Sequence, residues 1–417
     1  MKRPAPWRLR AAGLAARLAP SLRVPDRGAG GHDAYFAALA AALKRAGVAQ
    51  PTVVIDRARL AGNTARVRAA LSPTDLALRL AAKSLQAPEL LRAVMEGAAT
   101  ERLMVFNAVM LDEIVRFRPT ADVLLGRPLP AMSADAFVRA HGGKAAAAAL
   151  PQWLVDTPRR LSQYIEVARA RGLPVRVNFE IDVGLHRGGF PDQASLAEAL
   201  DLARAEPLIE IAGLMGYDPH VAGAVSPQGE VRRVIARYDR FLRVLTAKTG
   251  KAPSGFVLNT AGTLTWRLHL ADRTANEVSI GSAFVKPTHY DVPTLTDLKP
   301  AMFLAQPVLK AVDPALIPGL EPLAGVIEEA DPNSARGFFL YGGYGDAKPV
   351  SPRGLAWSRL WGGRTLLTGS RRVTLEADDF VFLRPAESEG VLTQFGDIAV
   401  FDGEAISTRW PTFQPAG

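Results

Sequence analysis

The sequence predicts an α/β fold, a (β/α)8 TIM barrel with a C-terminal all-β domain, and three features carry that expectation. Apolar strand-like runs alternate with helical patterns between Asp75 and Gly281, the rhythm of a barrel in which a helix follows each strand. No G-x-G-x-x-G segment opens any of these units, which counts against a doubly wound sheet. After about Leu295 the long helical patterns stop, and short strand patterns run between Pro- and Gly-rich turns, as in an all-β domain.

The chain is expected to divide into a basic N-terminal arm (1–30), a barrel segment (31–294) and a β-domain (295–417). His32 to Gly47 has helical spacing and a glycine stop. Thr52–Asp56 is a short β-branched strand, and Arg57–Leu71 an amphipathic helix. The barrel strands are expected at Ala77–Lys83, Leu103–Asn107, Val123–Gly126, Trp153–Asp156, Val175–Asp182, Ile209–Tyr217, Gly255–Asn259 and Glu277–Gly281. Ala77–Lys83 is apolar at nearly every position, as a strand buried on both faces requires. Helical patterns fill most intervals, such as Leu161–Arg171, Ala194–Ala205 and Glu230–Thr249. Beyond them, Phe303–Val312, Gly337–Tyr341, Phe380–Leu383 and Ile398–Phe401 read as strands, and Asp402-Gly403 as a hairpin turn before Ala405–Trp410.

Composition narrows the function. At 417 residues, 48% hydrophobic and 22% charged, the chain suits a globular protein with one large domain and a smaller one. No apolar run approaches the ~18 residues of a membrane span, so no membrane partner is expected. The chain has no cysteine, which removes disulfides and thiolate metal sites and fits a cytoplasmic enzyme. Most of the net charge of +9 comes from Lys2, Arg3, Arg8, Arg10, Arg17, Arg23 and Arg27, set against Asp26 alone. The remainder is near balance and offers no basic stripe for a phosphate backbone, so no nucleic-acid partner is expected.

The chemistry centres on Lys83, at the carboxyl end of the first barrel strand, where barrels keep their active sites. Apolar surroundings would disfavour its charged form and free the amine as a nucleophile. That is what a Schiff base with an aldehyde cofactor such as pyridoxal phosphate needs; a lysine that merely snorkels into solvent is the plainer alternative. The other strand ends carry Asn107, Asp156, Glu180, Asp182, Tyr217, His220, Asn259, Thr260, Thr263, Gly281 and Ser282. In a barrel all of these share one rim. Each alone reads as a cap or turn residue; together they predict one polar site. In Glu180–Gly189, Arg187 at the barrel mouth could pair with a phenolate or a phosphate, or close the strand turn on an acid.

Five segments, in order, resemble the fold-type III pyridoxal-phosphate enzymes with an alanine racemase N-terminal barrel. They are Arg79-Leu-Ala-Ala-Lys83-Ser, Asp182-Val-Gly-Leu-His-Arg187-Gly-Gly189, Gly213-Leu-Met-Gly-Tyr217-Asp-Pro-His220, Asn259-Thr-Ala-Gly262-Thr263 and Glu277-Val-Ser-Ile-Gly281-Ser282. The branch they are most similar to is that of D-threonine aldolase and D-serine dehydratase. The resemblance implies that Lys83 holds the cofactor and Arg79 sits beside it. It implies that Arg187 lies near the ring phenolate and that Tyr217 and His220 face the substrate. Asn259, Gly262, Thr263, Gly281 and Ser282 would lie on the phosphate side, where backbone N–H groups and hydroxyls suit an anion. His186 is expected to be structural.

The sequence departs from that branch at two places. The metal-binding P-x-H-x-C or P-x-H-x-D segment is replaced by Arg384-Pro385-Ala-Glu387-Ser-Glu389. Glu387 and Glu389 could hold a hard ion such as Mg2+ or Mn2+, or serve as solvated carboxylates. The histidine two residues before the Schiff-base lysine is Ala81. The implied activity is that of a lyase on D-amino acids bearing a β-hydroxyl, by retro-aldol cleavage or β-elimination, in a homodimer whose substrate is a small amino acid. Two rivals remain: an amino-acid racemase, with Tyr341 or Tyr344 as the second base, and a non-catalytic pyridoxal-phosphate carrier.

Overall fold

The computed structural model describes residues 23–141, 151–358 and 365–413. A helix, α1 (Ala34–Arg45), begins at the Asp33 carboxylate, which accepts a hydrogen bond from the Phe36 N–H. Strand β1 (Thr52–Asp56) is buried throughout, and the Asp56 side chain caps α2 (Arg57–Leu71).

The barrel follows: β2 (Ala77–Ala81), α3 (Pro88–Ala98), β3 (Arg102–Val105), α4 (Ala108–Phe117), β4 (Asp122–Leu125), α5 (Ala131–His141), β5 (Gln152–Val155), α6 (Pro158–Arg171), β6 (Val175–Glu180), α7 (Gln193–Arg204), β7 (Ile209–Met215), α8 (Pro227–Thr249), β8 (Val257–Thr260) and β9 (Glu277–Ile280). Strands β2 to β9 are parallel neighbours in chain order, and β2 closes the barrel on β9 with Ala77 opposite Glu277. Polar caps open the helices where the sequence offers them, with Asn107 on α4, Thr157 on α6, Asp192 on α7 and Ser226 on α8. All eight strands expected from the sequence are present in the barrel.

The second sheet contains β10 (Met302–Val312), β11 (Arg336–Leu340), β12 (Ala347–Ser351), β13 (Ala356–Trp357), β14 (Leu366–Gly369), β15 (Phe380–Pro385), β16 (Ile398–Phe401) and β17 (Ile406–Trp410). A short helix, α9 (Ala324–Ala330), interrupts it. Strand β1, grouped with the barrel segment in the sequence, lies in this sheet instead. It runs antiparallel to β10 and parallel to β16. Helix α1 covers the same sheet, packing Phe36, Leu39 and Leu43 with Phe303, Phe382 and Phe401. A strand buried on both faces has the same apolar signature whichever sheet it joins, so the pattern alone did not place it. Of the expected basic arm, residues 1–22 lie outside the described residues; beyond them, Arg23 pairs with Glu329 and the Val24 N–H donates to the Ala330 carbonyl.

The floor of the barrel is polar. Arg79, in the middle of β2, is fully buried and donates to both Glu277 oxygens at 2.6 and 3.0 Å, to Asp122 at 3.1 Å, and to the Leu103 and Asp122 carbonyls. Arg102 adds a second cation to Glu277, and Gln152 donates to Asp122. Burial works against the Arg79 charge, but the Glu277 and Asp122 carboxylates outweigh it and hold its pKa above the usual guanidinium value. Each buried charge here has an opposite charge and hydrogen bonds, the condition for keeping ions in a core.

Candidate active site

The carboxyl ends of the barrel strands surround a cavity of about 320 Å3, within the usual range for small-molecule sites. Strand β2 stops at Ala81, and one 3-10 turn (Ala82–Ser84) carries Lys83 to the cavity wall. Its Nζ lies 2.7 Å from Glu389 Oε1 and 4.7 Å from the centre of the Phe106 ring. The apolar surroundings expected for Lys83 are therefore only partly realised: one side is aromatic, the other a carboxylate. The Glu389 segment is held there by Gln86, whose Nε2 donates to the Glu389 carbonyl, while the Gln86 carbonyl accepts from the Phe413 N–H.

Loops after β8 and β9 form the wall beside Lys83, since β9 pairs with β2, and this is the position where barrels often hold a phosphate. Thr263, Ser282 and Ser84 bring three hydroxyls to the cavity. Ser282 Oγ donates to Ser84 Oγ at 3.0 Å, and the Gly281 N–H donates to Thr263 Oγ1 at 3.1 Å. Both loop glycines are sterically required. A Cβ on Gly281 would lie 2.7 Å from Ser84 Oγ and 2.9 Å from the Ala81 carbonyl oxygen, and one on Gly262 would lie 2.6 Å from Tyr217 Cε2. An accessible amine, a hydroxyl-rich end and close backbone packing in a cavity of this size fit pyridoxal phosphate.

Arg187 and Tyr217 form the side wall. Arg187 donates to Glu180 Oε1 at 3.2 Å, and its guanidinium lies 4.9 Å from the centre of the Tyr217 ring. Burial pushes the Glu180 carboxyl upward, and Arg187 pulls the other way. Burial also pushes the Tyr217 phenol up to about 12, so it stays protonated at neutral pH. Asn259 reaches the wall, but its amide N–H groups go to Glu277 and Ser279, 2.8 Å each. Asp182 turns away and binds His186 Nδ1 at 2.7 Å, so both serve the turn.

Three expected placements are not realised. Arg79 is not in the cavity wall: all its donors are engaged in the floor described above. His220 is carried off by a 3-10 turn (Pro219–Gly223) and packs near Gly184, with Nε2 4.0 Å from Glu230 on α8. Glu387 and Glu389 do not converge on one point; Glu389 faces Lys83 and Glu387 faces His289 at 3.4 Å. Among the described residues no three carboxylate, histidine or cysteine groups cluster closely enough to hold a metal, so the donor set does not fit one. The racemase candidates Tyr341 and Tyr344 do not line the cavity of their own chain.

Other residues at the cavity escaped the sequence reading. Phe106, Arg127 and Tyr290 line it; the signal for the first two was their position at the ends of barrel strands. Behind the Gly262 loop, Thr265 Oγ1 accepts from the Gly262 N–H and donates to Asp218 Oδ1. Asp218 Oδ2 meets buried His269 Nε2 at 2.7 Å, and Asp272 stands 3.5 Å from Nδ1. Burial opposes the imidazolium, but the two aspartates outweigh it and raise its pKa to about 9.

Comparison with known proteins adds the lineage. The family described as alanine racemase, N-terminal domain matches residues 55–288. The D-threonine aldolase of Filomicrobium marinum superposes with a TM-score of 0.73 at 16% identity, covering 88% of this chain and 95% of its own. For D-threo-3-hydroxyaspartate dehydratase from Delftia sp. HT23 the values are 0.67, 16%, 88% and 98%. The alanine racemase of Corynebacterium glutamicum gives 0.57 at 18% identity, covering 80% and 89%. No curated protein matches.

Proposed function

The chain belongs to the alanine racemase N-terminal domain family of fold-type III pyridoxal-phosphate proteins, and from that premise we propose that it is a lyase acting on D-amino acids with a β-hydroxyl. The observation that carries this reading is the pair at the cavity mouth, a lysine amine 2.7 Å from the Glu389 carboxylate. The substrate class comes from the names of two structural neighbours, a D-threonine aldolase and a D-threo-3-hydroxyaspartate dehydratase.

In this reading Lys83 supplies the amine that anchors the cofactor and yields it to the substrate nitrogen. Glu389 takes the proton from Lys83 Nζ and returns it, which keeps the amine nucleophilic when needed. When bound, pyridoxal phosphate supplies an electron sink for a bond broken at Cα. The Thr263, Ser84 and Ser282 hydroxyls and the Gly281 loop would hold its phosphate, and Arg187, braced by Glu180, its phenolate side. Tyr217, protonated at working pH, contributes a fixed hydrogen-bond donor to the wall. No step is assigned to a metal.

Incubation of the cofactor-loaded protein with D-threonine and D-serine tests the proposal. Glycine plus acetaldehyde, or a keto acid plus ammonia, is the expected outcome. Loss of optical rotation from D-alanine with neither product would replace it with racemisation, and binding without any turnover would leave a cofactor carrier.

A further inference from the structure

Among the described residues three cationic side chains line the cavity, and two of them are already paired, Lys83 with Glu389 and Arg187 with Glu180. The third is Arg127, the second residue past β4. Among the described residues it has no carboxylate within ion-pair distance; Asp156 also lines the cavity, yet no ion pair joins the two. A charged group left open at the wall of a ligand cavity is available to a charged ligand.

The position of Arg127 is built rather than incidental. Its guanidinium lies 5.9 Å from the centre of the Phe106 ring, the same ring that Lys83 Nζ approaches at 4.7 Å. That ring packs on Gly126, where a Cβ would come within 2.4 Å of Phe106 Cε1. The glycine lets Phe106 lie against the backbone just before Arg127, so one aromatic plate sets both cations. Strand β4 also stands across the closed barrel from β8, whose loop carries Gly262 and Thr263. One end of the cavity thus offers hydroxyls on closely packed glycine loops, and the far side offers a free guanidinium.

We propose that Arg127 is the anchor for the substrate's carboxylate. A substrate whose nitrogen takes the place of Lys83 Nζ has its acid group delivered toward the other cation on the Phe106 ring, and a guanidinium can grip a carboxylate through two parallel N–H bonds. The inference rests on the amino-acid reading of the site, but it concerns binding and not which bond breaks.

The test therefore uses binding. The visible band of the cofactor-loaded wild type, Arg127→Gln and Arg127→Lys would be titrated with D-serine, with D-threo-3-hydroxyaspartate and with 2-aminoethanol, which is D-serine without its carboxylate. In the wild type D-serine should bind tighter than 2-aminoethanol by on the order of tenfold or more, the worth of a charged hydrogen-bonded contact. Arg127→Gln should bring D-serine down to the 2-aminoethanol level, leave 2-aminoethanol unchanged, and be partly rescued by Arg127→Lys. A loss confined to the dicarboxylate, with D-serine binding unchanged, would assign Arg127 to the side-chain acid and overturn the proposal. Equal affinity of the wild type for D-serine and 2-aminoethanol, or unchanged acid binding in Arg127→Gln, would overturn it. Failure of the lyase reading alone would show as absent products while this contrast in binding persisted.

Discussion

The floor and the mouth of the barrel each hold a cation from one short segment, and they treat it in opposite ways. The Arg79 side chain is 0% exposed and gives its donors to two carboxylates and two carbonyls. The Lys83 side chain is 31% exposed and rests on one carboxylate and one ring. A fully satisfied buried charge cannot change partners without leaving another charge unpaired, which is costly. A cation with one partner beside a cavity can. What separates scaffold from chemistry on this segment is the number of partners around the charge.

Replacing each cation should break the comparison in a different place. The largest effect is expected from Lys83→Ala, which should abolish the visible cofactor band and all turnover while changing unfolding free energy by less than about 1 kcal/mol, as at other partly exposed positions. A band retained in that variant, read by absorption, would move the site elsewhere. Arg79→Met should do the reverse. Removing the cation that Glu277 and Asp122 share leaves Glu277 with Arg102 and Asp122 with Gln152, and is expected to cost ~3 kcal/mol in urea unfolding, with the band still present in whatever fraction stays folded. A variant as stable as the wild type would mean that the floor is dispensable.

The smallest effect sharpens the mouth. His269 has its pKa raised to about 9 against 6.5 for the free group, so its charged pairing stabilises the fold by about 3 kcal/mol at most, fully below pH 6.5. That contribution is lost as pH climbs through about 9. The difference in melting temperature between wild type and His269→Gln should therefore be widest near pH 6 and shrink toward pH 10, and a difference independent of pH would refute the charged pair. Because Thr265 links Asp218 to the Gly262 loop, cofactor affinity should weaken over the same range.

The barrel and the strand-end rim were legible because both have local signatures: unbroken apolar runs, and polar or glycine residues where those runs stop. Lys83, Arg187, Tyr217 and the two glycine loops carry such signatures, and all of them line the cavity. Arg79 was misplaced although its signal was present, since an arginine inside an apolar strand must find buried carboxylates, and Glu277 opens the strand that closes the barrel on β2. His220 went wrong because spacing does not reveal that a 3-10 turn swings the ring toward α8. The partnership of Glu389 with Lys83 joins residues from two ends of the chain, which no local pattern encodes.

Strand β1 bears on how the molecule comes to be made. It is synthesised before the barrel, yet its neighbours are strands far downstream, with Val54 opposite Phe303 and Ala399. On the ribosome it must wait with both edges bare while eight barrel strands emerge and find each other locally, a topology that favours slow closure and exposes the early strand to wrong partners. The barrel can close before the sheet can, and the carboxylate that meets Lys83 emerges only after every barrel strand.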